Sequence, residues 1–263
     1  GAGGFISSLA QLPDGRVYAG GIFSSVNGQP RHNLARLYAD GTLDPSFVPE
    51  LETEFDVLAL ALHPDGRLLV AGKVPPTDPV VRIPEGLVRL NPDGSVDSSF
   101  VWSAPEGIRY VRALVLQPDG KILIGGEFRF AHFAGLARLH PDGSSDASFL
   151  PPQYPDYDEL GVHTLALQPD GKILVGGDFE DVDLRRLNAD GSVDTSFHID
   201  LGTNTWFQTA PQNIVLQPDG KILVNSGAPN GPTRLHPDGS LDMSFMPPAQ
   251  VWVRSLALQP DGK

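Results

Sequence analysis

Residues 113–128 read A-L-V-L-Q-P-D-G-K-I-L-I-G-G-E-F, and residues 136–149 read L-A-R-L-H-P-D-G-S-S-D-A-S-F. Each stretch reverses at a Pro-Asp-Gly turn. Pro sets φ for a type I turn, Asp tolerates the next position, and Gly takes the left-handed conformation that closes a three-residue hairpin loop. Such a loop dictates register, placing Gln117 opposite Lys121 and Leu116 opposite Ile122. The same rule applied to the second kind of hairpin places Asn91 opposite Ser95 and Arg89 opposite Asp97. The strands of the first hairpin are apolar on both faces, as in L-V-L and I-L-I, so both faces are expected to be covered.

The two motifs alternate along the whole chain. The first carries Asp14, Asp65, Asp119, Asp170, Asp219 and Asp261; the second ends at Phe47, Phe100, Phe149, Phe197 and Phe245, spaced 53, 49, 48 and 48 residues apart. The repeats therefore cover approximately 4–51, 52–105, 106–157, 158–205 and 206–250, with the start of a sixth at 251–263. No linker or shift of composition divides residues 1–263, which read as a single repetitive domain. Each repeat supplies four strand candidates. Four-stranded antiparallel blades recurring at this period describe an all-β chain with the architecture of a β-propeller, five complete repeats plus the start of a sixth. A closed five-bladed ring needs five copies of the first strand, and the chain supplies six. The surplus copy, Val251 to Gln259, predicts a Velcro-like closure, an edge handed to a neighbour, or a longer array; the stop within a hairpin favours the array.

The spacing of Arg89 and Asp97 recurs as Arg36/Asp44, Arg138/Asp146, Arg186/Asp194 and Arg234/Asp242. Five cross-strand ion pairs are expected. As exposed pairs they would set register and partner choice while contributing only about 0–1 kcal/mol each.

Composition excludes several classes. Cys is absent, so there is no disulfide scaffold, thiolate metal site or Cys nucleophile. Nineteen basic against 32 acidic residues suit neither nucleic acid nor anionic lipid. No apolar run reaches the roughly 20 residues of a membrane-spanning helix.

The stretches Leu165 to Phe179 (L-A-L-Q-P-D-G-K-I-L-V-G-G-D-F) and Leu136 to Phe149 resemble the delta-60 repeat. The resemblance implies a propeller-like module from a bacterial secreted or surface protein and brings no catalytic residues. Repeat two departs from the G-G-x-F pattern with A-G-K-V at 71–74, and repeat five with N-S-G-A at 225–228.

Chemistry-bearing residues are sparse. No G-x-S-x-G elbow and no metal-spaced His pair occurs. His63, His140 and His236 flank turns, while His32 and His132 lie in longer loops. Asp178, Glu180, Asp181 and Asp183 share one loop of the fourth repeat, where Ca²⁺ could find oxygen ligands; no cofactor is otherwise required. All three Trp residues fall in or beside connections between repeats. Trp102, Tyr154, Tyr157, Trp206, Phe207 and Trp252 are the candidate ligand contacts, suited to a glycan or a peptide segment. The first strands L-A-L, L-V-L and I-V-L offer almost no acid or base. The expected function is therefore a non-catalytic surface module for binding, adhesion or display. A passive spacer or fibre-forming unit, which would engage copies of itself, and a propeller hydrolase or lyase are the alternatives.

Overall fold

At every described Pro-Asp-Gly turn the backbone reverses in the register that the loop length demands. Gln117 N donates to Lys121 O at 2.8 Å, Leu116 faces Ile122, and Asp119 Oδ1 accepts Lys121 N at 3.1 Å to cap the turn. In the second hairpin Asn91 N donates to Ser95 O and Asp97 N to Arg89 O, with Gly94 at φ 100°. The computed structural model describes residues 2–73, 86–103, 108–130, 133–152, 161–179, 183–199, 210–226, 231–247, 253 and 255–259. Among them, strands form four antiparallel sheets of three to six strands, an all-β arrangement consistent with a β-propeller.

The chain divides into two compact units. The first, residues 1–131 with 138–146, contains β1 (Ala2–Gln11), β2 (Val17–Val26), β3 (Gln29–Pro30), β4 (Leu34–Leu37), β5 (Asp56–Leu62), β6 (Leu68–Lys73), β7 (Leu87–Leu90), β8 (Tyr110–Leu116) and β9 (Ile122–Phe130). Strand β10 (Phe133–Leu139) runs through the boundary. The second unit, residues 132–137 with 147–263, contains β11 (Val162–Leu167), β12 (Ile173–Gly177), β13 (Leu184–Leu187), β14 (Asn213–Leu216), β15 (Ile222–Asn225) and β16 (Thr233–Leu235). Within a repeat the middle strand pairs with the strands before and after it, as β6 does with β5 and β7. Middle strands are buried, and the first strands β5, β8 and β11 only half so. In the first unit Tyr18, Leu34 and Phe47 of repeat one pack with Val57, Leu68, Val70 and Leu90 of repeat two. In the second, Leu174 and Leu184 pack with Ile214, Ile222 and Val224 in the same way.

Two expectations need correction. The fourth strand of each blade is reduced to a single bridge, such as Leu37↔Leu43 and Leu187↔Val193. The reason is local. Asp44 Oδ1 accepts Ser46 N at 2.9 Å and Ser46 Oγ at 2.6 Å, so the backbone turns around the aspartate instead of continuing a ladder.

The ion pairs also differ from expectation in their surroundings. All five form at 2.7–2.8 Å, and four are buried, with the Arg36 and Asp44 side chains 4% and 0% exposed, while Arg234 of the fifth is half-buried beside a buried Asp242. A second cation from the first hairpin joins each aspartate, as Arg16 does Asp44, Arg67 does Asp97 and Lys172 does Asp194. The arginine also lies over the motif phenylalanine, with Arg89 4.7 Å from the Phe100 ring centre and Arg186 4.6 Å from that of Phe197. Burial alone would push the Asp44 carboxyl up, but hydrogen bonds from Ser46, Arg36 and Arg16 hold it well below the usual carboxylate range. One bracket thus accounts for the Arg, Asp, Ser and Phe of the motif together.

Candidate functional site

The first strand of each of four repeats carries one extra residue. Ile6 and Ser8 face consecutive partners Gly21 and Gly20, so Ser7 is the extra residue of the strand; Leu58, Arg112 and His163 are the extra residues at the same place in β5, β8 and β11. These are β-bulges, which re-aim a side chain and interrupt pairing. The glycine pair of the next strand makes room for them. A Cβ on Gly177 would lie 2.2 Å from Gly161 O, and one on Gly72 would lie 2.0 Å from Asp56 O. Repeat five has Asn225 and Ser226 at this place, and its ladder runs without a shift from Asn213↔Asn225. Gln212 then takes the position that His163 holds in repeat four.

At His163 the bulge assembles a polar group within the second unit. His163 Nε2 lies 3.0 Å from Asp178 Oδ2, and the imidazole is 11% exposed beside a 56% exposed carboxylate. Its Nδ1 lies 2.7 Å from Nε2 of the exposed Gln212. A carboxylate only accepts, so the proton of the neutral ring belongs on Nε2 and the Nδ1 lone pair faces the Gln212 amide. Asp178 is fixed in turn by its own N–H, which donates to Gly161 O at 3.0 Å. Across the same loop, Gly177 N donates to Asp183 O at 3.0 Å. Burial, and then the charge of Asp178, pushes the Asp183 carboxyl above its ordinary value. A carboxylate holding one imidazole nitrogen while the other carries a lone pair is the arrangement of an oriented general base.

The other sequence-derived candidates fare unevenly. Trp102 is buried at 4% exposure and contributes one wall of a cleft of about 380 Å³, beside Ser99, Ser103, Asp142 and Ser144. Tyr154, Tyr157, Trp206, Phe207 and Trp252 lie outside the described residues, as do Glu180 and Asp181. Among the described residues no three His, Asp or Glu side chains come together as metal ligands. Sequence reasoning missed His163. Aligning the repeats on their turns would have found it, since the other copies place Ser7, Leu58, Arg112 and Gln212 there.

Comparison with known proteins fits the fold. The family described as "Domain of unknown function (DUF5122) beta-propeller" matches residues 12–47, 85–100, 117–149 and 168–197. No curated protein matches the chain. Among solved structures, virginiamycin B lyase from Staphylococcus aureus is similar at 13% identity and a TM-score of 0.61, over 90% of this chain and 68% of that one. A streptogramin B lyase is similar at 16% identity and 0.59, over 92% and 68%. The gluconolactonase XC5397 from Xanthomonas campestris is similar at 16% identity and 0.61, over 99% and 82%. A catalytically inactive histidine-to-alanine variant of the S. aureus lyase, solved with quinupristin, superposes equally well. These neighbours overturn the expectation of a non-catalytic module for binding or adhesion, because the shared scaffold is one that carries catalysis. The chain has the β-propeller-like all-β fold found in lyase and lactonase propellers.

Proposed function

We propose that the chain is a propeller enzyme of the hydrolase or lyase class, with His163 as general base, Asp178 orienting it through Nε2 and the Gln212 amide hydrogen-bonded at Nδ1. One observation carries the reading. His163 stands where other repeats manage with Ser7, Leu58, Arg112 or Gln212, so the fold itself has no need of an imidazole there. Water or a substrate C–H displaces the Gln212 amide and yields its proton to Nδ1, and Asp178 stabilises the imidazolium that forms. On a lactone the resulting hydroxide adds to the carbonyl, the ring C–O bond breaks, and the proton passes to the departing alkoxide. The step as written draws only on His163, Asp178 and Gln212.

The finer architecture belongs to the same proposal: repeats of the delta-60 type, five blades, and the opening strand of a sixth. The family match on successive repeats and the five Arg/Asp brackets support it.

Glucono-δ-lactone hydrolysis, read by proton release, and quinupristin turnover, read by chromatography, test the enzymatic reading. We expect turnover of at least one, lowered about 10²–10⁴-fold in His163→Ala with unchanged thermal stability. A wild-type rate no faster than buffer on both, or an unaffected variant, overturns the reading.

A further inference from the structure

At junctions inside each unit, the second-hairpin turn of one repeat is received by the repeat before it. In the first unit Arg36 Nη1 donates to Pro92 O at 2.5 Å and Val48 N to Asp93 O at 3.0 Å. Arg89 Nη1 and Val101 N donate to Pro141 O and Asp142 O in the same way. In the second unit Arg186 and His198 receive Pro237 O and Asp238 O. The fit is close: a Cβ on Gly94 would lie 2.3 Å from Val48 O, and one on Gly143 2.8 Å from Val101 O.

Three residues after the motif phenylalanine, the two junctions of the first unit part ways. Glu50 closes the first one. Its N–H donates to Gly94 O at 2.9 Å and its Oε2 accepts Val96 N at 3.0 Å, so one glutamyl residue satisfies both edge groups of the docked turn. Ser103 stands at that place in the second junction and brings no carboxylate. Gly143 O and Ser145 N are the counterparts of Gly94 O and Val96 N. Among the described residues neither has a hydrogen-bond partner. A cleft of about 380 Å³ opens at this point, with Trp102, Ser103, Asp142, Gly143 and Ser145 among its walls.

We propose that this cleft binds a glutamyl residue of an extended peptide, which takes the place that Glu50 holds in the first junction. The contact continues one that the same unit already makes. The bound residue donates its N–H to Gly143 O and accepts Ser145 N with its carboxylate. The side chains have changed to match. Where the first junction has Glu50 and Val96, the second has Ser103 and Ser145, whose hydroxyls take no partner among the described residues and can donate to the same carboxylate. Donors thus line the cleft, and the anion they suit is supplied from outside. The surrounding charges tolerate it. Arg67 and Arg89 both pair with Asp97, and Asp142 Oδ1 is engaged by Ser144 N and Oγ. The charge of Asp142 is no bar, because Asp93 stands at the equivalent position beside Glu50. In the second unit the same two places hold Pro152 and Val193, which offer no hydroxyl. The site lies within the first unit and does not rest on the catalytic reading of His163.

Titration of the full chain with acetyl-Val-Pro-Glu-amide, the sequence of residues 48–50, tests the proposal. Binding is read at the indole N–H NMR signal of Trp102, identified through Trp102→Phe. A saturable shift is expected, and the Val-Pro-Gln peptide should bind about tenfold more weakly, since a neutral amide makes the weaker hydrogen bonds. Two variants act on the cleft itself. Ser103→Glu supplies the missing residue from within the chain and should abolish the shift with thermal stability retained. Ser145→Pro removes the N–H that lies outside the ladder, where Asp146 N and His140 N make the cross-strand bonds, and should weaken binding at least tenfold. No saturable shift in the wild type, which a cleft filled by the chain itself would produce, overturns the proposal. Equal binding of the Glu and Gln peptides overturns it too, as does binding that neither variant weakens.

Discussion

The second hairpin and the bulge of the first strand answer opposite demands within one repeat. The hairpin carries the same Arg, Asp, Ser and Phe in all five repeats, closed around a buried carboxylate. At the bulge four repeats agree on backbone geometry and disagree on the residue, from Ser7 to Leu58 to Arg112 to His163. Where the side chain is the structure, repeats must match. Where only the backbone is, each copy can take up its own chemistry, and repeat four has taken up an imidazole with its carboxylate.

That contrast can be broken by exchanging the two kinds of position. The largest effect belongs to Asp44→Ala, which leaves Arg36 and Arg16 facing each other without their anion. Urea unfolding should show a loss of about 3–5 kcal/mol, and a loss below 1 kcal/mol would make the bracket dispensable. Next comes Gly177→Ala. Its methyl group would collide with Gly161 O, so the bulge must flatten at a cost of about 1–3 kcal/mol. The imidazole NMR signals of His163 should shift with it, and unshifted signals would separate the site from the bulge.

The bracket also sets the response to acid. Asp44, Asp97 and Asp194 are held below the 3.8 of an unfolded aspartate. The unfolded chain therefore binds protons first as pH falls. The stabilisation is complete above that value and is lost progressively beneath it. Replacing Asp44 by Asn should flatten the acid limb of stability against pH by about 1.4 kcal/mol per pH unit; equal slopes would show that its carboxyl titrates normally. The smallest effect is expected from Leu58→Arg, which imports the residue of repeat three. A change within about 0.5 kcal/mol fits a position free to vary. A larger loss would mean that this bulge is not interchangeable.

What the sequence revealed followed the range of the physics involved. Turn chemistry acts over a few residues, so the pairing of Leu116 with Ile122 and of Arg89 with Asp97 could be read from loop length alone. The burial of those pairs could not, because it depends on the neighbouring repeat's turn and on Arg16 or Arg67 arriving from a different hairpin. Alternation of apolar residues does not reveal a bulge, since one added residue leaves L-A-L looking like any other strand. His163 was hidden for that reason, and Asp178 was read as part of an acidic loop rather than as its partner. The Trp residues drew attention as a surface feature, yet Trp102 is buried. The functional expectation failed because first strands free of acids and bases were taken as a site free of chemistry.

The grip of Arg36 on Pro92 O has a mechanical consequence. The guanidinium that holds Asp44 in its own repeat also holds the next repeat's turn, and Arg89 and Arg186 do the same. A repeat that loses its bracket thus releases its successor's outer edge, and damage travels as a front with a direction written into the chain. Brief proteolysis at the threshold of unfolding would print that direction as a ladder of fragments, stepped at the 48 to 53 residues of the repeat.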